Sequence, residues 1–177
     1  MSGPANGATG PETLPPHPAK WLTPDISLSV MPPVINTASQ RSPEALEAVI
    51  DQFNVEHAER YRPRDVTGDG KKETFCNIFV SDVTAALCAP IPHCLMGKWQ
   101  DVAANLAWLR AGYNGWLPCG VTEARAAANE GRPSVVVWSP PGERHGHIAL
   151  VLPSQRMTQL SARTSAPSGA AIWFGAV

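Results

Sequence analysis

Cys76 stands in the stretch Thr74-Phe75-Cys76-Asn77-Ile78-Phe79-Val80-Ser81-Asp82-Val83, where an amphipathic helical pattern begins. The polar, glycine-bearing run Thr67-Gly68-Asp69-Gly70-Lys71-Lys72 leads up to it. About seventy residues later, His145-Gly146-His147-Ile148-Ala149-Leu150-Val151 takes a histidine into an apolar strand. Cysteine is a nucleophile only as the thiolate, and a free pKa of about 8.5 leaves a few per cent ionised at neutral pH. A helix start aims unpaired N–H groups and positive potential at whatever sits there, which favours S⁻. An imidazole in hydrogen-bond reach completes the activation and later protonates a leaving amine. A thiol and an imidazole so placed are the two halves of a cysteine–histidine hydrolase.

The other histidines are weaker candidates for the base. His17 lies in a proline-rich segment, His57 on a helix beside acids, and His93 in a loop after Pro92. His145 and His147 share a strand face by the period of two. Gly146 gives His147 room for close approach, and Ala149 is its small same-face neighbour. His147 is therefore read as base. A hydrogen-bonded structural histidine, or His145 as the base, are the other readings. For Cys76 the alternative is a buried helix cysteine against Val80 and Val83.

The 177 residues suit one domain plus a tail. A net charge of −1, with no basic stripe, gives no electrostatic case for nucleic acid. The first lysine is Lys20, so the start lacks a signal-peptide layout, and no apolar run reaches membrane-spanning length. The expectation is a soluble protein. Cysteines 76, 88, 94 and 119 are too sparse for a disulfide framework. Free, mostly buried thiols are expected at Cys88, Cys94 and Cys119, with a Cys88–Cys94 or Cys94–Cys119 disulfide as the minority reading. Zinc on Cys88, His93, Cys94 and Cys119 lacks any CxxC pair.

Residues 1–40 carry eight prolines and read as a tail or linker, part of which packs along the domain; residues 41–177 form the domain. Ser42-Pro43-Glu44 is a helix start, and Leu46, Val49, Ile50 and Phe53 follow at helical spacing, with an end expected near Arg60. Further helices are expected over Cys76–Leu87, Trp99–Arg110 and Thr122–Glu130. Strands are expected over Ser134–Trp138, His147–Leu152, Met157–Ala162 and Ala171–Phe174. Helices first and strands afterwards indicate α+β with an antiparallel sheet.

Cys76-Asn77-Ile78-Phe79-Val80-Ser81-Asp82-Val83, then Ala89-Pro90-Ile91-Pro92, then Gly146-His147-Ile148-Ala149-Leu150-Val151 resembles the NlpC/P60 and CHAP group of papain-like cell-wall cysteine peptidases and amidases. It also looks like the amidase effectors of type VI secretion. The match spans roughly residues 44–177. Phe75 and Asn77 flank the cysteine where the group usually carries Asp or Asn and Ser. The resemblance implies a papain-like fold, N-terminal helices on a small antiparallel sheet, and hydrolysis of a peptidoglycan amide through an acyl-enzyme without a cofactor. It implies Cys76 as nucleophile, His147 as base, and a polar residue on the next strand to orient the imidazole. Gln159 is assigned there, with Ser161 the fallback. Tyr61 matches the group's tyrosine near the substrate; capping a helix end against the core is its other reading.

Trp116, beside Gly115, is expected to line a glycan or peptide groove, and His145 to face the substrate. Glu143-Arg144 reads as a solvated turn or as a rim of the cleft. Asp65, Thr67 and Asp69 resemble the opening of a calcium loop, but Cys76 stands where an EF-hand has its glutamate, so an Asp-Gly turn is simpler. The partners implied are peptidoglycan and a cognate inhibitor or secretion component, with action on a target cell's wall after delivery or lysis. The competing readings are a papain-like deamidase or transferase acting on protein, and a non-catalytic calcium- or cysteine-stabilised binding domain.

Overall fold

A computed structural model describes residues 38–66, 68–96, 98–112, 114–140, 146–153 and 172–176. Four α-helices lie among them: α1 (Pro43–Gln52), α2 (Cys76–Ala86), α3 (Val102–Arg110) and α4 (Val121–Asn129). Strands β1 (Cys94–Leu95) and β2 (Lys98–Trp99) pair as a small hairpin. Strands β3 (Trp116–Cys119), β4 (Ser134–Trp138), β5 (His147–Leu150) and β6 (Ile172–Ala176) form an antiparallel sheet in the order β3-β6-β4-β5. The protein is α+β, as its helix-then-strand pattern predicts. Of the expected tail, residues 1–37 lie outside the described residues, as does the expected strand Met157–Ala162.

Helix starts follow their local chemistry. Ser42 Oγ accepts the Ala45 N–H at 3.1 Å and Pro43 opens α1. Asp101 Oδ1 accepts the Ala104 N–H at 2.8 Å and caps α3. Helix α3 therefore starts three residues after the expected Trp99, because Lys98 and Trp99 are drawn into β2. Helix α1 also departs from expectation. It stops at Gln52 instead of running to Arg60, since Phe53 is the last core position at helical spacing and Asn54 turns left-handed at φ 44°. A turn and a 3₁₀ segment (Glu59–Tyr61) replace the missing helix and place Arg60 and Tyr61 side by side.

Two cores flank the sheet. On one face Val135, Val137, Ile148, Phe174, Ala176 and Trp116 pack with Val102, Leu106 and Leu109 of α3. The other core joins α1 and α4 through Leu46, Val49, Phe53, Ala124 and Ala128, with Trp173 against it. Helix α2 lies against β5 and serves both, giving Val80 to the first and Ile78 and Val83 to the second. Gly131 joins the end of α4 to the start of α1. It has φ 75°, and a Cβ there would meet the Ser42 backbone at 2.4–2.6 Å. The Gly131→Ala variant is expected to lose about 3 kcal/mol in urea denaturation, since neither backbone can yield without uncapping α1.

Candidate active site

The thiol and the imidazole meet. Cys76 is the first residue of α2, whose N-cap Phe75 supplies no side-chain hydrogen bond. The other three described α-helices each have a side chain bonded to a backbone N–H at the start, from Ser42, Asp101 and Glu123. The first amides of α2 are thus left for the sulfur. His147 opens β5 and hydrogen-bonds Cys76 through its side chain.

The sheet adds a donor that sequence reasoning did not find. Val151 donates to Ser134 O at 2.8 Å, so by the two-residue alternation the groups of His147 and Ala149 also face β4. Ile148 then directs its N–H off the open edge of the sheet, and that N–H reaches the sulfur. No residue-type signal marks it, because the donor is backbone and depends only on register.

Burial pushes the Cys76 thiol up, but the His147 hydrogen bond, the Ile148 N–H, the imidazole charge and the Asn77 N–H together bring it below the ordinary cysteine value. His147 moves the other way. Its hydrogen bond with Cys76 raises it above the ordinary imidazole value despite burial. Both shifts favour one state, a thiolate beside an imidazolium.

Gly146 has a steric reason to be glycine. A Cβ there would sit 2.5 Å from Trp138 O and 2.9 Å from Val102 Cγ1. The Gly146→Ala variant must push β5 away from β4 or α3. Alkylation of Cys76 at neutral pH is expected to slow, because the His147 contact opens.

Cys76 and Thr74 border two clefts. One, of about 740 Å³, also has Ile50, Tyr61, Phe75, Phe79, His147 and Leu150 in its walls. The other, of about 430 Å³, has Lys71, Lys72, Asn77, Asp101 and Gly146. Asn77 Nδ2 donates to Gln100 O at 2.7 Å, which ties the start of α2 to the segment after β2.

Tyr61 lines the first cleft and is also buried against the core, but it lies in the 3₁₀ segment rather than at the end of α1. Its hydroxyl donates to Asp82 Oδ2 at 2.8 Å. Trp116 is a correction. It is 1% exposed and lies in the core under the sheet rather than in a groove, because it belongs to β3 opposite Ala176 and its alternation turns it toward α3. Gln159, Ser161, His145, Glu143, Arg144 and Thr67 lie outside the described residues. His57 is exposed in the turn after α1, not on a helix, and lines the larger cleft. His93 Nδ1 lies 2.8 Å from Ser81 Oγ, and burial holds its pKa below the ordinary value.

All four thiols are free, and Cys88 is exposed rather than buried because Leu87 ends α2 and the chain turns left-handed at φ 58°. Among the described residues, Cys88, His93, Cys94 and Cys119 form no metal-binding group. The carboxylates of Asp65, Asp69 and Glu73 do converge within 4.8 Å. Glu73 was not in the calcium pattern, and the Asp65 oxygens already accept the Gly68 and Gly70 N–H groups at 2.6 and 2.9 Å, as an Asp-Gly turn requires.

Comparison of the chain with family models, with curated proteins and with solved structures gives no match.

Proposed function

We propose that the protein is a cysteine amidase or endopeptidase of papain-like fold that cleaves an amide bond of peptidoglycan, in the stem peptide or at its link to the glycan. One observation carries the reading: a half-buried thiol at an uncapped helix start, hydrogen-bonded to an imidazole on the neighbouring strand and open to a cleft. The motif resemblance to cell-wall amidases supplies the substrate class. The α+β architecture, with the thiol's helix against an antiparallel sheet, is compatible with it.

In this reading the Cys76 thiolate attacks the amide carbon and the carbonyl electrons move to oxygen. The Cys76 N–H, without an acceptor inside the helix, receives the oxyanion. The tetrahedral intermediate collapses, the C–N bond breaks, and the His147 imidazolium protonates the departing amine. A thioester remains. Neutral His147 then takes a proton from water, hydroxide adds to the thioester, and the C–S bond breaks to give a carboxylic acid and the restored pair. The setting that suits this chemistry is antibacterial: an effector or lysin acting on the wall of a target cell, held in check by a cognate inhibitor. Gln159 as orienter belongs to the same proposal. No helix among the described residues is long and apolar enough to cross a membrane.

The test is digestion of purified sacculi followed by mass spectrometry of the soluble fragments. Each cleavage should yield one new amine and one new carboxylate at a single type of amide. Sacculi left intact at high enzyme concentration, from several wall chemotypes, would sink the proposal.

A further inference from the structure

We infer that Asp82 is a positioning residue for the substrate cleft, acting through Arg60 and Tyr61. It rests on Cys76 being the nucleophile of the proposed function, and not on which amide is cut. Asp82 lies on α2, six residues after Cys76, and is not part of either cleft wall. Its carboxylate takes Arg60 Nε on Oδ2 at 2.6 Å and Arg60 Nη2 on Oδ1 at 3.0 Å. Oδ2 also takes the Tyr61 hydroxyl at 2.8 Å. Arg60 is 5% exposed and the Asp82 side chain 15%, so the pair is shielded from water and its geometry is held tightly.

Tyr61 transmits that geometry to the cleft. Its ring stands edge-on to Phe79 at 5.3 Å and 74°, and both rings form the cleft wall near Cys76 and His147. Burial, and then the charge and hydrogen bond of Asp82, keep the Tyr61 hydroxyl protonated, so it always donates to the carboxylate. The same chain segment grips α2 at its other end. The Arg64 guanidinium sits 4.3 Å over the Phe75 ring and donates to Glu59 O and Arg60 O at 2.9 Å each. Segment 59–64 is thereby fixed to α2 at Asp82 and at the residue preceding Cys76. A buried ion pair is a weak source of net stability compared with apolar packing, but it restricts direction strongly. Here the direction restricted is that of an aromatic wall beside the nucleophile.

The experiment compares alkylation of Cys76 by iodoacetamide and by N-benzyl iodoacetamide, read by mass spectrometry of the Cys76 peptide. The benzyl group needs the aromatic wall and the small reagent does not. In the wild type the benzyl reagent should be preferred. The benzyl-to-small rate ratio is expected to fall about tenfold in Asp82→Asn and about fivefold in Tyr61→Phe, which keeps the ring and the ion pair but removes the tether. The double variant should fall no further than Asp82→Asn alone, since both act on one tether. The pH profile for iodoacetamide should not move, because none of the groups that shift Cys76 is Asp82. An unchanged ratio in folded Tyr61→Phe, or additive losses in the double variant, would overturn the inference. Because the readout needs no peptidoglycan, intact sacculi would defeat the proposed function and leave this result standing.

Discussion

Replacing Cys76 by alanine is expected to abolish the proposed release of soluble fragments from sacculi, by at least about 10⁴-fold, and to leave the folded protein intact. Loss of a covalent nucleophile removes the chemical step itself, and the oxyanion donors and binding left behind give only residual acceleration over water. The side chain is half-buried at the edge of a core, so removing one sulfur costs about 1 kcal/mol or less of stability, and the melting temperature moves by a few degrees at most. Activity and stability therefore separate, and both are measured on the same sample. Equal digestion by Cys76→Ala would show that the wall is cut by other means. A metal-held fold would give another result: unfolding on chelation, with Cys76 inert to alkylation.

Removing His147 is expected to have the second-largest effect, on both the proposed hydrolysis and its pH dependence. Hydrolysis by His147→Ala is expected to drop about 10³- to 10⁴-fold, the usual worth of a positioned acid–base group. The sign of the pH effect follows from the local causes. In the wild type the thiol lies below its ordinary value and the imidazole above its own, so both shifts favour the ion pair. Activity should be bell-shaped. The acid limb reports formation of the thiolate, the alkaline limb loss of the imidazolium proton, and both values belong to the coupled pair. Without His147 the sulfur keeps the Ile148 and Asn77 N–H groups but loses its strongest favourable partner, while burial still opposes charge. The iodoacetamide profile of Cys76 should then shift upward. A profile that stays in place would mean that the helix start alone sets the thiolate, and that His147 is not the base.

The legible parts of this chain are those whose cause is local. Ser42-Pro43 capped α1, Asp-Gly spacing formed the turn at 65–70, and Val135–Val137 read as a buried strand; the structure has each of them. Errors arose where a distant partner decides. Trp116 beside Gly115 resembles a loop residue until Ala176, sixty positions away, pairs with it and turns it into the core. Trp99 reads as a helix start until Cys94 pairs with it. Asp82 lay inside the quoted motif with no assigned role. Its meaning depends on Arg60 and Tyr61, which reach it only because α1 ends early and a 3₁₀ segment follows.

The sequence by itself determined the two reactive groups and their settings: a thiol where a helical pattern starts, and an imidazole after a glycine on an apolar strand. Residue type and short-range spacing set these, since helix nucleation and strand alternation act over a few residues. The tertiary structure alone decided that the two touch and that the Ile148 amide joins them. It also decided that an ion pair outside the cleft holds an aromatic residue within it. Those facts rest on sheet register and on contacts between residues far apart in the chain. A register shift of one residue would turn the Ile148 N–H toward β4 and His147 away from the sulfur, with no change in sequence.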